Sequence, residues 1–434
     1  MGYQSFLPVG LSQGAPLWWP NPNYRPSDTI AKGPAGALNA SSLLEARGNW
    51  LRLAPVLNVI FPDGSDIDTQ SSLVEIANPG FDGISLLAKC DHDIRSTGSI
   101  KGRGGVYEVL MLAEMLANSQ GLNVSANPIG LLSQEAGDLF GRHKILVGST
   151  GNLGFSVGVT ARKLGFAVEV HMSRDAKSWK KERLCQVGVA VVEHGDDYSV
   201  AVSSARRAAS EDPSSYFVDD EHSLTLLLGY SSAAFEICEQ LKQRDIVINE
   251  QNPLYVYLPC GVGGAPGGIT LGLKYFFGPH VHCIFVEPVA SPCMLVQLAA
   301  GPSRPVDVYA CGLSNDTIAD GLAVARASLL VAEIAGSQIA GVATVSDDDM
   351  TRWVLDLWIS DSMRLEPSGA AGFAALAQHG RDIRKSHCGK EGTTIVWTTG
   401  GAFLPDAEWK AVLERAESRR KVRLTGRARC EIDV

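Results

Sequence analysis

Lys144-Ile-Leu-Val-Gly-Ser-Thr-Gly-Asn-Leu-Gly154 is a short apolar run that breaks into a loop of glycine, hydroxyl and amide residues. Read as a strand, a loop and the start of a helix, it opens a repeating pattern. Strands are predicted at Lys144–Val147, Ala167–His171, Val189–Val192 and Tyr216–Val218, with helices over Gly154–Leu164, Ala176–Gln186 and Ser199–Ser210 between them. Strands alternating with helices at this interval imply a parallel sheet covered by helices. Downstream, the pattern resumes with a helix at Ala233–Gln243, then Leu254–Leu258, Ile269–Phe277 and His282–Val286. Helices are expected near Ile318–Arg326 and over Asp347–Ser360, before Ala370–Leu376 and a last strand, Thr393–Trp397. Upstream, Leu43–Val56 reads as a helix and Gly83–Lys89 as a strand. Residues 16–23 read as a Pro/Trp/Asn turn with Trp18 and Trp19 as structural plugs, and residues 61–80 as a surface excursion. The basic stretch 415–423 reads as a solvated helix end with a tail.

With 434 residues, the chain exceeds what one hydrophobic core normally holds. The expected division is a large domain of residues 1–118 and 219–434 with a smaller α/β domain, 119–218, inserted in it. The active site would lie in the cleft between them. A formal charge of −9 argues against a nucleic-acid partner. Nine dispersed cysteines, with no C-x-x-C, fit a reduced protein rather than a disulfide framework. The first residues lack a secretory pattern, and no apolar run approaches the ~20 residues that span a bilayer. The expectation is a cytoplasmic protein with no membrane partner, a monomer or small homo-oligomer.

Chemistry concentrates where predicted strands end. Ser99-Ile-Lys101 lies in the turn-rich stretch Cys90–Gly105, just ahead of residues with helical spacing. A lysine at a helix N-terminus is disfavoured as an ammonium, and partial burial acts in the same direction, toward a nucleophilic amine. A solvated lysine on a first helical turn is the ordinary alternative. Gly148–Gly154 offers backbone amides, Ser149, Thr150 and Asn152 to a carboxylate. Cys260-Gly-Val-Gly-Gly-Ala-Pro-Gly-Gly268 makes a nest for phosphate. It is no P-loop, and Ala265 and Pro266 break the spacing of a dinucleotide fingerprint, which is its rival reading. Trp397-Thr-Thr-Gly-Gly401 sets a hydroxyl at a strand tip, able to meet a heteroaromatic nitrogen. An amine, a phosphate nest and a hydroxyl together suit pyridoxal 5'-phosphate.

Longer motifs then coincide in order. Lys-Cys-Asp-His-Asp (89–93), Gly-Ser-Ile-Lys-Gly-Arg-Gly-Gly (98–105), Ser-Trp-Lys-Lys-Glu-Arg-Leu (178–184), Asp-Asp-Glu-His-Ser (219–223), Glu-Pro-Val-Ala-Ser-Pro-Cys-Met (287–294), Asp-Gly-Leu-Ala-Val (320–324) and Glu-Pro-Ser-Gly-Ala-Ala-Gly (366–372) resemble the D-serine dehydratase family. The resemblance runs from about residue 16 to 405. It implies the type II pyridoxal-phosphate fold: two open, twisted, mostly parallel sheets covered by helices. By the same resemblance, Lys101 is the Schiff-base lysine, Asn152 meets the ring oxygen, Gly261, Val262, Gly263, Gly264 and Ala265 hold the phosphate, and Thr399 faces the pyridine nitrogen. The family usually has a glycine where Ala265 stands. Ser149, Thr150, Gly151, Asp219 and Asp220 are expected at the substrate, the two aspartates having helix capping as their alternative. Glu287 resembles a ligand for K+ or Na+. Ser99 is a proton donor, a phosphate contact or a helix cap.

The implied reaction is β-elimination of D-serine to pyruvate and ammonia through an aminoacrylate, with D-threonine a second candidate substrate. Other type II reactions on serine or threonine, such as L-serine/threonine dehydration or serine racemisation, share the same elements. A nucleotide-dependent oxidoreductase would leave Lys101 without a role.

Overall fold

The computed structural model describes residues 7–8, 10–27, 38–62, 70–81, 83–149, 151–195, 198–302 and 304–430, with the backbone alone for 12, 79, 198–199 and 421–430. Its strands are β1 (Trp18–Pro20), β2 (Leu73–Glu75), β3 (Leu86–Cys90), β4 (Lys144–Gly148), β5 (Ala167–Ser173), β6 (Ala190–His194), β7 (Ser215–Val218), β8 (Leu254–Pro259), β9 (Val281–Pro288), β10 (Ile339–Val345) and β11 (Thr393–Thr398). They form a seven-stranded sheet, β1-β10-β9-β8-β11-β3-β2, and a four-stranded sheet, β6-β5-β4-β7. Every pairing is parallel except those of the two edge strands, β1 with β10 and β2 with β3.

Strands β3, β8, β9, β10 and β11 are buried along their whole length. That is what a parallel strand covered on both faces requires, and it explains why they read as runs rather than alternations. From β8 the chain steps outward to β9 and β10, and β11 then returns to fill the place between β8 and β3. The reversal opens a crevice at the carboxyl ends of β8 and β11, where ligands of such sheets bind. The loops carrying Gly261 and Thr399 begin there.

The sequence missed some elements. β10, Ile-Ala-Gly-Val-Ala-Thr-Val, is half small residues with weak strand preference, yet it is wholly buried. β1 and β2 are three-residue edge strands inside stretches read as a turn and a surface excursion; residues 63–69 of the latter lie outside the described residues. Trp18 and Trp19 are half-buried on β1, where Trp18 donates its indole N–H to Ser386 Oγ at 3.1 Å. The expected helix near Ile318–Arg326 does not form. Its backbone bonds elsewhere: Ile318 N–H to Asp347 Oδ2 at 3.0 Å and Val324 N–H to Ser291 Oγ at 3.1 Å, leaving no i to i−4 ladder. The basic C-terminal stretch lies within a helix, Asp406–Cys430, that continues past it. Among the described residues, no helix is long and apolar enough to cross a membrane.

Candidate active site

After β3 the chain turns through Asp91–Ser99 and enters the helix Lys101–Ser119, with Lys101 as its first residue. Two contacts stitch this turn to the end of β11: Ile100 N–H donates to Thr399 O at 2.8 Å, and Ser99 bridges Gly400. Beneath it lies a buried charge network. Arg103 grips Asp91 through Nε and Nη2 at 2.6 and 2.7 Å, and Glu236 through Nη1 and Nη2 at 2.6 and 3.0 Å. Lys89 Nζ adds 2.8 Å to Glu236 Oε2, and Trp397 Nε1 donates to Asp91 Oδ2 at 2.8 Å. Burial alone would raise the Glu236 carboxyl, but Arg103 and Lys89 outweigh it and hold it at about 2. Opposite charges bonded on several sides can stay buried. Here they fix the Lys101 helix to β3, β11 and the helix Ala233–Lys242.

Lys101 itself is one-fifth exposed, and its Nζ donates to Asp220 Oδ2 at 2.9 Å. Its cavity is also lined by Ser149, Asn152, Gly261, Gly263, Ala265 and Thr399. Gly263, at φ +112°, turns the chain into the helix Gly264–Phe277. That left-handed conformation favours glycine, and the first N–H groups of a helix have no partner within it. Gly261 is packed so that a Cβ would stand 3.0 Å from Gly321 O. Ala265 lies within the first helical turn, 5% exposed, and takes part in the lining. Thr399 Oγ1 is buried with no hydrogen-bond partner among the described residues. A buried hydroxyl left unpaired is costly unless something completes it.

On the other wall, Ser149 Oγ accepts the N–H groups of Gly151 and Gly154 at 3.0 and 2.9 Å. This shapes the loop between β4 and the helix Asn152–Leu164 and leaves the Ser149 proton free to donate. Asn152 Nδ2 donates to Glu366 Oε1 at 3.1 Å. Burial raises the Glu366 carboxyl above its ordinary range. Ser149 and Glu366 also line a wider neighbouring chamber that holds Lys180 and Asp320, a pair 2.6 Å apart. Glu366, Lys180 and Asp320 lie in the quoted motifs, but nothing in the sequence singled them out. Their signal is spatial, since residues 180, 320 and 366 meet only in the fold.

Four expectations fare differently. Asp220 meets Lys101, but Asp219 turns away to bind Arg206 Nη2 at 3.0 Å. Neither caps the following helix, Leu224–Ser231, whose cap is Ser223, bonded to Leu226 N–H at 3.0 Å. Ser99 is buried with its Oγ unpartnered and is no cap either, because Ile100 precedes the helix. Glu287 is fully buried and accepts the N–H groups of Met294 and Leu295 at 2.7 and 2.9 Å. Burial pushes its carboxyl up to about 8. Thr150 lies outside the described residues.

Comparison with known proteins bears on the family and the fold. Residues 66–400 match the family model described as pyridoxal-phosphate dependent enzyme. A probable D-serine dehydratase of Rhizobium etli is 46% identical over 426 residues, covering 93% of this chain and 94% of the relative. One of Paracidovorax citrulli is 49% identical over 347 residues, covering 77% and 76%. Among solved structures, Escherichia coli diaminopropionate ammonia lyase superposes with a TM-score of 0.71 at 18% identity, over 92% of this chain and 97% of that one. The fold is the type II pyridoxal-phosphate fold, and the chain belongs to the pyridoxal-phosphate dependent enzyme family, alongside the probable D-serine dehydratases.

Proposed function

We propose that the protein converts D-serine to pyruvate and ammonia by β-elimination. The observation that carries the proposal is that Lys101, the Gly261–Ala265 loop and the unpaired Thr399 hydroxyl line one cavity. The names of the relatives supply the substrate. The residues present fit pyridoxal phosphate. The N–H groups heading the helix Gly264–Phe277 suit its phosphate, Thr399 Oγ1 lacks the partner a pyridine nitrogen would provide, and Asn152 lines the same cavity and would meet the ring oxygen. Bound there, the cofactor supplies an electron sink for the electrons released at Cα.

The chain's own residues do the rest. Lys101 Nζ, once free of its proton, takes the one on Cα, and Asp220 beside it holds the amine in place and exchanges protons with it. The Ser149 hydroxyl, held in place by the N–H groups of Gly151 and Gly154, orients the carboxylate together with the Asn152 N–H at the head of its helix. The β-hydroxyl leaves as water after gaining a proton, and one water is taken up when the released enamine hydrolyses, so the net change is D-serine to pyruvate plus ammonia. In this reading, residues 119–218 form the smaller domain, supported by the self-contained β4–β7 sheet, and the cleft beside it admits the substrate. A monovalent cation beside Glu287 is tested by comparing rates in K+, Na+ and a bulky organic cation; equal rates exclude it.

The direct experiment is a coupled pyruvate or 2-oxobutyrate assay on D-serine, L-serine, D-threonine and L-threonine, with Lys101→Ala as control. Preference for D-serine supports the reading. Preference for L-serine or L-threonine replaces it with the corresponding dehydratase, and racemisation without keto acid replaces it with a racemase.

A further inference from the structure

Lys180 is 5% exposed, on the helix Ser178–Gln186. Its aliphatic chain passes Gly151 so closely that a Cβ there would lie 2.6 Å from Lys180 Cδ and 3.4 Å from Nζ. Gly151, at φ +142°, leaves the room that the lysine occupies. Nζ donates to Asp320 Oδ2 at 2.6 Å, reaching from the four-stranded-sheet side to a loop of the large-sheet side. An ammonium has three donors, and among the described residues this is the one bond drawn from it. Burial alone would lower the Lys180 pKa, yet Asp320 and Glu366 hold it above the ordinary lysine range, so the charge is present at neutral pH.

We infer that Lys180 is a specificity-determining residue. Its ammonium, oriented by Asp320, supplies the positive charge for the substrate carboxylate seated on the Ser149–Asn152 loop. This deepens the proposed function and rests on it. The Ser149 hydroxyl and the Asn152 N–H give the carboxylate direction, but they carry no net charge. Lys180 Nζ is a buried cation lying against Gly151, and Asp320 anchors it within the chamber that Ser149 also lines. The expected ligand class is an α-amino acid with a free carboxylate, in preference to its amide or ester.

Cofactor-loaded protein would be titrated calorimetrically with D-alanine, which has no β leaving group, and with D-alaninamide, which differs by the carboxylate. The wild type should bind D-alanine about 10- to 100-fold more tightly, the scale of a hydrogen bond to a charged group. Lys180→Met should erase that preference while leaving D-alaninamide affinity unchanged, and Lys180→Arg should keep most of it. With D-serine, Lys180→Met should raise KM by a similar factor with kcat within a few-fold. Cofactor absorbance near ~410–420 nm verifies that each variant is loaded. If Lys180→Met does not fold, Asp320→Asn with a two- to tenfold smaller preference serves in its place, at roughly the weight of one neutral bond. Retained preference, or equal loss for both ligands, overturns the inference. A wild type that binds both ligands as expected but makes no pyruvate overturns the substrate reading and leaves Lys180's role standing.

Discussion

Two polar clusters sit two residues apart on one helix, and they differ in how complete they are. Around Arg103, each nitrogen of the guanidinium has an acceptor, and Lys89, Asp91, Glu236 and Trp397 close the set. Around Lys101, among the described residues, the amine has one hydrogen-bond partner, while Thr399 Oγ1, Ser99 Oγ and Asp220 Oδ1 are buried with none. A complete cluster needs nothing further and holds the backbone still. An incomplete one carries a desolvation cost that a bound molecule can relieve. The rigid set lies directly under the unfinished one, so the fold positions its reactive amine by spending ion pairs on the neighbouring turn.

The comparison can be broken most severely at Lys101. Replacing it with alanine should cost at least on the order of 10³-fold in turnover, the scale of losing a nucleophile, with the urea midpoint nearly unchanged. An inactive protein with a much lower midpoint would show instead that Lys101 belongs to the structural set. Arg103→Ala should do the reverse, destabilising the protein by about 3–5 kcal/mol in urea because it strands two buried carboxylates. A loss of turnover at full stability would count against the division of roles.

Glu287 sharpens the contrast from a third place. Its folded-state pKa, about 8, lies above that of the unfolded chain. The stability that goes with the neutral form is therefore complete below pH ~4.3 and is lost as pH rises toward 8, by up to about 1.4 kcal/mol per pH unit. Glu287→Gln should flatten that part of a urea-midpoint profile measured from pH 5 to 8. An unaltered slope would refute the assignment. The smallest effect is expected at Thr399. Thr399→Ala removes an unpartnered hydroxyl, so the cofactor-free protein should lose little, whereas cofactor affinity should fall about two- to tenfold, one neutral hydrogen bond. Thr399→Asp should raise transamination relative to elimination, because an acid at the ring nitrogen strengthens the electron sink; an unchanged ratio would contradict the role given to that hydroxyl.

Much of this was legible in the sequence where a local signal existed. β4 and its loop, the Lys101 turn and the glycines after β8 announce themselves by apolar runs that end in glycine. β10 was hidden because Ala340, Gly341 and Ala343 mute its apolar signal, and it is held by its neighbours rather than by its own preference. Around Ile318–Arg326, an apparently helical spacing yields to Asp347 and Ser291, residues distant in the chain that claim its backbone. The same limit separates Asp220 from Asp219: adjacent and chemically identical, they part because Arg206 draws one away and Lys101 the other. Lys180, Asp320 and Glu366 come together only through tertiary packing, and no spacing rule joins them.

The most direct measurement is to load the purified protein with pyridoxal phosphate, record its spectrum, reduce with borohydride and map the modified peptide. A band near ~410–420 nm that bleaches, with the cofactor fixed on the peptide bearing Lys101, is the predicted result. A label on another lysine, or no band at saturating cofactor, would contradict it.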